Sequence, residues 1–259
     1  MRQEHQELMQ RRVRGIYLLP NLFTISGLFS GFYAIIAAMK GMYHIAAIGI
    51  FIALIFDGLD GRVARLTHSS SEFGAQLDSL SDMVCFGVAP ALVLYFWSLN
   101  AIGKAGWLAA FVYTVCTMLR LARFNTQLNN KASKRYSQGL TTTMAAGLIA
   151  SFVWVCSNYE LHATDRLIAV LIAIMTVLVG ILKVSTIRYR SFKDFNLREK
   201  IPFLAVIAIV MAFVLVAFDP PDLLLLIFLA YVLSGPCMTL WGLIRHRRRR
   251  KLKKNAHAK

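Results

Sequence analysis

Residues 43–66 read YHIAAIGIFIALIFDGLDGRVARL. From Ile45 to Phe56 no residue is charged, and from Asp57 onward acids and bases arrive together. An α-helix crossing the hydrocarbon core of a bilayer needs about 20 mostly apolar residues. A block of this length therefore spans a membrane and emerges at its charged end. The apolar residues are continuous instead of alternating, which argues against a membrane β-barrel.

Similar blocks recur along the chain. Apolar segments are expected at roughly 20–39, 43–66, 77–98, 105–124, 139–157, 164–183, 201–218 and 222–244. The fold class that follows is all-α: a polytopic integral membrane protein of about eight transmembrane helices. Composition agrees, because 57% of the 259 residues are hydrophobic although the chain carries a formal net charge of +16. A soluble domain of this size would be less apolar. The connections are too short for a soluble domain. Residues 1–19 form a basic N-terminal segment, 20–244 the transmembrane domain and 245–259 a basic tail. The piece Leu8–Leu19 suits a short amphipathic helix in the interface or a disordered basic tail, and the N-terminus is too charged for a cleavable signal peptide.

The charges orient the molecule. Four Lys or Arg fall in residues 1–19, two at Arg62 and Arg65, and five from Arg120 to Arg135. Six more lie in 183–200 and nine from Arg245 onward, against only Lys40, Lys104 and Arg166 on the other side. By the positive-inside rule both termini are cytoplasmic, which in a cell places the protein in the inner membrane. Without a soluble basic domain, anionic membrane lipids are the expected partner of the basic excess and nucleic acid is not. Cys85, Cys116, Cys156 and Cys237 all lie in apolar blocks, and none forms a CxxC pair.

The chemistry is concentrated where the second block ends. A charge within a membrane helix costs roughly 2.5–3.5 kcal/mol on insertion scales, so clustered acids require a purpose. Asp57, Asp60, Gly61 and Ala64 stand at i, i+3, i+4 and i+7, on one helix face. Asp78 and Asp82 stand at i and i+4 on the next helix. Two facing helices thus present four carboxylates to a common point at the cytoplasmic boundary. Hard divalent cations with oxygen ligands, Mg²⁺ or Mn²⁺, suit such a group. Gly61, Ala64 and Gly74 leave room for a phosphate and a nucleotide, and Arg65 offers a donor fork. A pair of metals there can grip a pyrophosphate and orient an incoming hydroxyl. The alternative, helix-end acids satisfied by Arg62, Arg65 and water, predicts no particular spacing.

The pattern D-x2-D-G-x2-A-R-x8-G-x3-D-x3-D, matched from Asp57 to Asp82, resembles the signature of the CDP-alcohol phosphotransferase family of integral membrane enzymes. The resemblance implies that family's fold and a site with two divalent cations. It implies Asp57, Asp60, Asp78 and Asp82 as metal ligands, with Asp82 also the base that takes the acceptor's proton. Gly61, Ala64, Arg65 and Gly74 would line the CDP site, and a homodimer is implied from the family alone. Asn21 and Thr24, at a helix start facing the cytoplasm, suit a cytidine or phosphate contact or an ordinary cap.

The stretches around Leu19–Thr24, Ser79–Val84, Arg120–Asn125 and Tyr189–Lys193 are similar to one branch, the bacterial membrane-embedded CDP-diacylglycerol–serine O-phosphatidyltransferases. That resemblance implies CDP-diacylglycerol as donor, L-serine as acceptor, and phosphatidylserine and CMP as products. Arg120, Arg123, Arg188 and Arg190 suit the serine carboxylate or the lipid phosphates, or ordinary positive-inside charge. The branch opens its fifth span with a Gly-Leu-Pro-x-Pro-like stretch. This chain instead has Gly139-Leu140-Thr141-Thr142-Thr143, with Thr141 and Thr143 in place of the prolines. Glycerol-3-phosphate or an inositol phosphate is the alternative acceptor. A divalent-cation transporter is the alternative class, but the acids form one local motif with no second half to match it.

Overall fold

Ser71 marks where the chain turns back into the membrane, and the element order around it sets the bundle. The computed structural model describes residues 2–67, 71–128, 136–161, 165–190 and 219–256; for 2–19, 127–128, 136–138, 188, 190 and 240–256 it describes backbone alone. Helix α1 runs Arg2–Met39, α2 Tyr43–Leu66 and α3 Glu72–Asp82. A π-turn at Met83–Val88 joins α3 to α4, Ala89–Trp97, and a short 3-10 turn Leu99–Ile102 leads to α5, Lys104–Leu128. Then follow α6, Thr142–Asn158; α7, Arg166–Val184; and α8, Pro220–Ala256. Two three-residue strands, β1 Tyr136–Gln138 and β2 Arg188–Arg190, pair antiparallel with Ser137 opposite Tyr189.

Six described helices are long and apolar enough to cross a membrane: Pro20–Met39, Tyr43–Leu66, Glu72–Trp97, Lys104–Thr126, Arg166–Val184 and Pro220–Thr239. Helix α6 is apolar but, at 17 residues, shorter. The segment expected at 201–218 lies outside the described residues. Helix α1 continues through the basic N-terminal segment, and α8 through most of the basic tail.

Two boundaries differ from expectation for local reasons. The third span begins at Glu72, not near 77, because Ser71 is its N-cap and accepts from the Gly74 amide at 3.0 Å. The fifth begins at Thr142, not 139, because Thr141 caps it through Met144. Gly139 before it has φ +81°, and a Cβ there would run into the Lys183 carbonyl. Leu140 N donates to Leu182 O at 3.0 Å, so this turn is locked onto the end of α7.

In lipid, helices gain little by hiding apolar side chains from one another, since the tails are equally apolar. Close van der Waals contact between small residues does the work. The stripe Gly27, Gly31, Ala34 and Ala38 does this within the chain. A Cβ on Gly31 would stand 2.6 Å from Cys85 Sγ, and one on Gly49 would stand 3.0 Å from Ala34 Cβ. Ala34, Ala38, Ala46 and Ala47 are buried, so α1 packs on α2 and on the π-turn. Large apolar residues such as Phe29, Leu167 and Leu171 face outward instead.

Side-chain contacts order the two ends of the bundle. At one end Thr24 of α1 meets Asp60 of α2, and Ser79 of α3 meets Asn125 of α5. Arg123 of α5 reaches the Val184 carbonyl closing α7, and the β1–β2 ladder covers the same end. At the other end Tyr159, after α6, donates to Asp222 Oδ2 of α8 at 2.9 Å. Helix α8 then returns to the ladder, where Tyr189 Oη donates to the Val232 carbonyl and its ring seats against Gly235.

Candidate active site

The four aspartates come from two consecutive helices, α2 and α3, and line one cleft. Asp57 and Asp60 lie in the last turns of α2, while Asp78 and Asp82 lie in α3. One carboxylate oxygen each from Asp57, Asp60 and Asp78 fall within 4.8 Å of one another. Oxygens so spaced fit around a hard cation held at about 2.0–2.6 Å from each ligand. Asp82 lines the same cleft, beside Asp57. It stands outside the three-carboxylate group.

The cleft is lined by these four residues with Thr24, Ser81, Cys85 and Phe86, and encloses about 180 Å³ including open solvent. Its enclosed part holds little more than a water-sized group; a nucleotide has to lie outside it. Beside it, a Cβ placed on Gly58 or Gly61 would meet nothing within 4 Å. Neither packing nor backbone conformation demands glycine at these two positions, so the bare surface is available to a ligand. Gly74, by contrast, is crowded by Ser71 Oγ and Asn21 Oδ1, at 3.2 and 3.3 Å from a built Cβ. Ala64 is half-buried on α2. Arg65 is exposed and its Nε donates to the Gly61 carbonyl at 2.8 Å.

The remaining candidate residues have these surroundings. Thr24 donates to Asp60 Oδ2 at 2.9 Å, with the Pro20 carbonyl 3.1 Å away as a second acceptor. Its hydroxyl is thereby engaged with a candidate metal ligand. Asn21 lies beside Gly74, three residues before Thr24. Arg123 Nη1 is engaged with the Val184 carbonyl at 3.2 Å, and Arg120 is an electrostatic neighbour of Asp82 and Tyr231. The side chains of Arg188 and Arg190 lie outside the described residues. The hydroxyls of Thr141 and Thr143 contact each other at 3.4 Å, and that of Thr141 caps α6.

Three contacts escaped the sequence reading. Ser81 Oγ donates to the Thr24 carbonyl at 3.3 Å, tying α3 to α1. Asn125 Nδ2 donates to Ser79 Oγ at 3.0 Å, one residue from Asp78. Ser79 and Asn125 both stood in the quoted stretches, but 46 residues apart in sequence nothing paired them. The third is Lys183, counted among connection charges and found fully buried.

The family model for CDP-alcohol phosphatidyltransferases matches residues 17–182. The chain belongs to the CDP-alcohol phosphatidyltransferase family. The matched stretch holds all four aspartates and ends inside α7. Among relatives of this CDP-alcohol phosphatidyltransferase is the CDP-diacylglycerol–serine O-phosphatidyltransferase of Helicobacter pylori. It is 38% identical over 203 residues, 78% of this chain and 84% of that protein. The protein of the same name from Methanocaldococcus jannaschii is 31% identical over 223 residues, 86% and 94% of the two chains. The archaetidylserine synthase of Methanothermobacter thermautotrophicus is 33% identical over 181 residues, 69% and 72%. CDP-alcohol phosphatidyltransferases are generally dependent on divalent cations, and the Asp57, Asp60 and Asp78 triad is a fitting donor set for one.

Proposed function

We propose that this chain makes phosphatidylserine, moving the phosphatidyl group of CDP-diacylglycerol to L-serine with release of CMP. The observation that carries the reading is the convergence of three aspartate oxygens within 4.8 Å beside glycines that no packing requires. The relatives' names supply the donor and the acceptor. Asp57, Asp60, Asp78 and Asp82 would hold two divalent cations, Mg²⁺ or Mn²⁺, which when bound would neutralise the pyrophosphate and stabilise the leaving CMP.

The chain's own residues do the rest by positioning, as phosphoryl transfer generally requires. Gly61, Ala64, Arg65 and Gly74, with Asn21 nearby, take the CDP moiety at the open side of α2 and α3. Thr24 holds the Asp60 carboxylate in place. Asp82 takes the proton of the serine hydroxyl; the freed oxygen attacks the lipid-side phosphorus, and the bond from that phosphorus to the CMP oxygen breaks. Arg120, near Asp82, is suited to the serine carboxylate. Arg123, on α5 and anchored to the Val184 carbonyl, serves the lipid phosphates with Arg188 and Arg190.

The protein is read as an inner-membrane enzyme with eight spans, both termini and the site facing the cytoplasm. Support comes from connectivity. The described chain leaves the site end at Arg190 and resumes at the opposite end at Asp219, a passage that a span over 201–218 would make. The basic end of α8 suits anionic lipid headgroups. A homodimer would have to use a face other than the α1 stripe, which is already occupied within the chain.

The test is CMP release by the purified protein in detergent with CDP-diacylglycerol and Mn²⁺ or Mg²⁺. L-serine, glycerol-3-phosphate and inositol-1-phosphate are offered separately, with Asp78→Asn as the blank. Release with serine alone is expected. Release only with one of the others would replace the acceptor, and silence with all three from folded protein would remove the assignment.

A further inference from the structure

Helix α7 carries a lysine that the reaction described above does not use. Lys183 stands one residue beyond the stretch matched to the family and is 0% exposed. Its Nζ donates to Thr117 Oγ1 at 2.6 Å and lies 3.2 Å from the centroid of the Tyr113 ring. A cation in a membrane helix is costly, and mere positive-inside charge would point to the interface, not into the bundle.

Its two partners both touch the π-turn. Tyr113, fully buried, donates from Oη to the Phe86 carbonyl at 3.2 Å. Thr117 packs where a Cβ on Gly87 would meet its side chain at 3.2 Å. Thr114 adds a contact to the Gly87 carbonyl at 3.4 Å. The π-turn starts at Met83, immediately after Asp82, and Phe86 and Asp82 line the same cleft. A π-turn carries an extra residue, and such insertions recur at functional sites. If it relaxed into regular α-helix, about 100° of phase, one residue's worth, would be absorbed on one side of it. Helix α4 is packed against α1, α2, α5 and α6, whereas α3 packs mainly on α1, so α3 would turn, and Asp82 with it.

We propose that Lys183 is a positioning residue for Asp82, acting through Tyr113 and Thr117 to hold the π-turn in register. The Lys183 amine, seated on the ring face and bonded to Thr117, fixes where the Tyr113 ring stands, and so where its hydroxyl meets the Phe86 carbonyl. The proposal rests on the reading of Asp82 as the base, and an activity-independent measurement keeps the two apart.

The experiment compares full-length wild type, Lys183→Met, Tyr113→Phe and the double variant in detergent. Two quantities are read: hydrogen–deuterium exchange over residues 82–90, and kcat and KM for CMP release with serine. In each single variant, exchange over 82–90 should rise at least about tenfold. The kcat should fall by about ten- to a hundredfold, the scale of a small misplacement at a reacting group, with KM for CDP-diacylglycerol changed less than about twofold. The double variant should lose no more than the worse single one. Unchanged exchange over 82–90, a retained kcat, or losses that multiply would overturn the proposal. Should Lys183→Met fail to fold, Tyr113→Phe is judged alone by the same two readouts. Should the wild type release no CMP, the reaction assignment falls and exchange alone decides the brace.

Discussion

Thr24 and Asp60 are 36 residues apart and meet at 2.9 Å. A hydrogen bond to a charged group contributes about 1.5–3 kcal/mol, and this one fixes where a candidate ligand oxygen points. Thr24→Val, which keeps the shape and removes the hydroxyl, should lower kcat for CMP release by roughly 10- to 100-fold. Thr24→Ser should retain most of it. Gly61 makes the opposite case. Since a Cβ there would touch no protein atom, Gly61→Ala should leave the melting temperature unchanged and raise KM for CDP-diacylglycerol at least fivefold. An unchanged KM would take the nucleotide off that surface. The aspartates themselves were legible because helical periodicity turns spacing into a shared face, and acids in an apolar block have few other reasons to be there. Partners such as Thr24, Asn125 and Lys183 were not, because a hydroxyl, an amide or a span-end lysine carries no periodic signature. What they do depends on which helix arrives beside them.

At the scale of elements, six of the expected apolar blocks coincide with helices long and apolar enough to cross a membrane, while their ends could not be read. The start of α3 moved to Glu72 because one serine side chain caps it, and Thr141 did the same for α6. The β1–β2 ladder is three residues long on each side, too short for any pattern to announce it. The π-turn leaves no compositional mark either, yet it sets how close α1 comes. A methyl group on Gly31 would press on Cys85 Sγ from 2.6 Å. Overpacking of this kind costs about 1–3 kcal/mol, so Gly31→Ala should lower the melting temperature in detergent. Adding Cys85→Ala should recover part of that loss, because it removes the offending sulfur; a double variant no better than the single one would place the strain elsewhere.

For the whole molecule, the strongest expectations concern metal and sidedness. Removing divalent cations with EDTA should abolish CMP release, and Mn²⁺ or Mg²⁺ added back should restore it without refolding. Activity that survives exhaustive chelation would leave the Asp57, Asp60 and Asp78 triad without its expected occupant. Single cysteines at 190 and 219, in a background with the four native cysteines replaced, should react with an impermeant maleimide from opposite sides of the membrane. Labelling of both from one side would break the eight-span arrangement. The asymmetry of Lys and Arg is the basis on which that arrangement is expected.

The hairpin formed by α2 and α3 has a consequence for how the protein is made. All four aspartates belong to residues 57–82, so they leave the ribosome as one short length of chain. Each acid at the centre of a span would oppose insertion by roughly 2.5–3.5 kcal/mol, a penalty that falls toward the interface. Asp57 and Asp60 close one span and Asp78 follows soon after the next begins, so the hairpin can enter the bilayer with its acids trailing at the headgroups. The candidate ligands are therefore all synthesised before α5 to α8. The later helices are left to shape what surrounds them, and a ribosome stalled soon after the hairpin has emerged should already hold a membrane-integrated group of carboxylates.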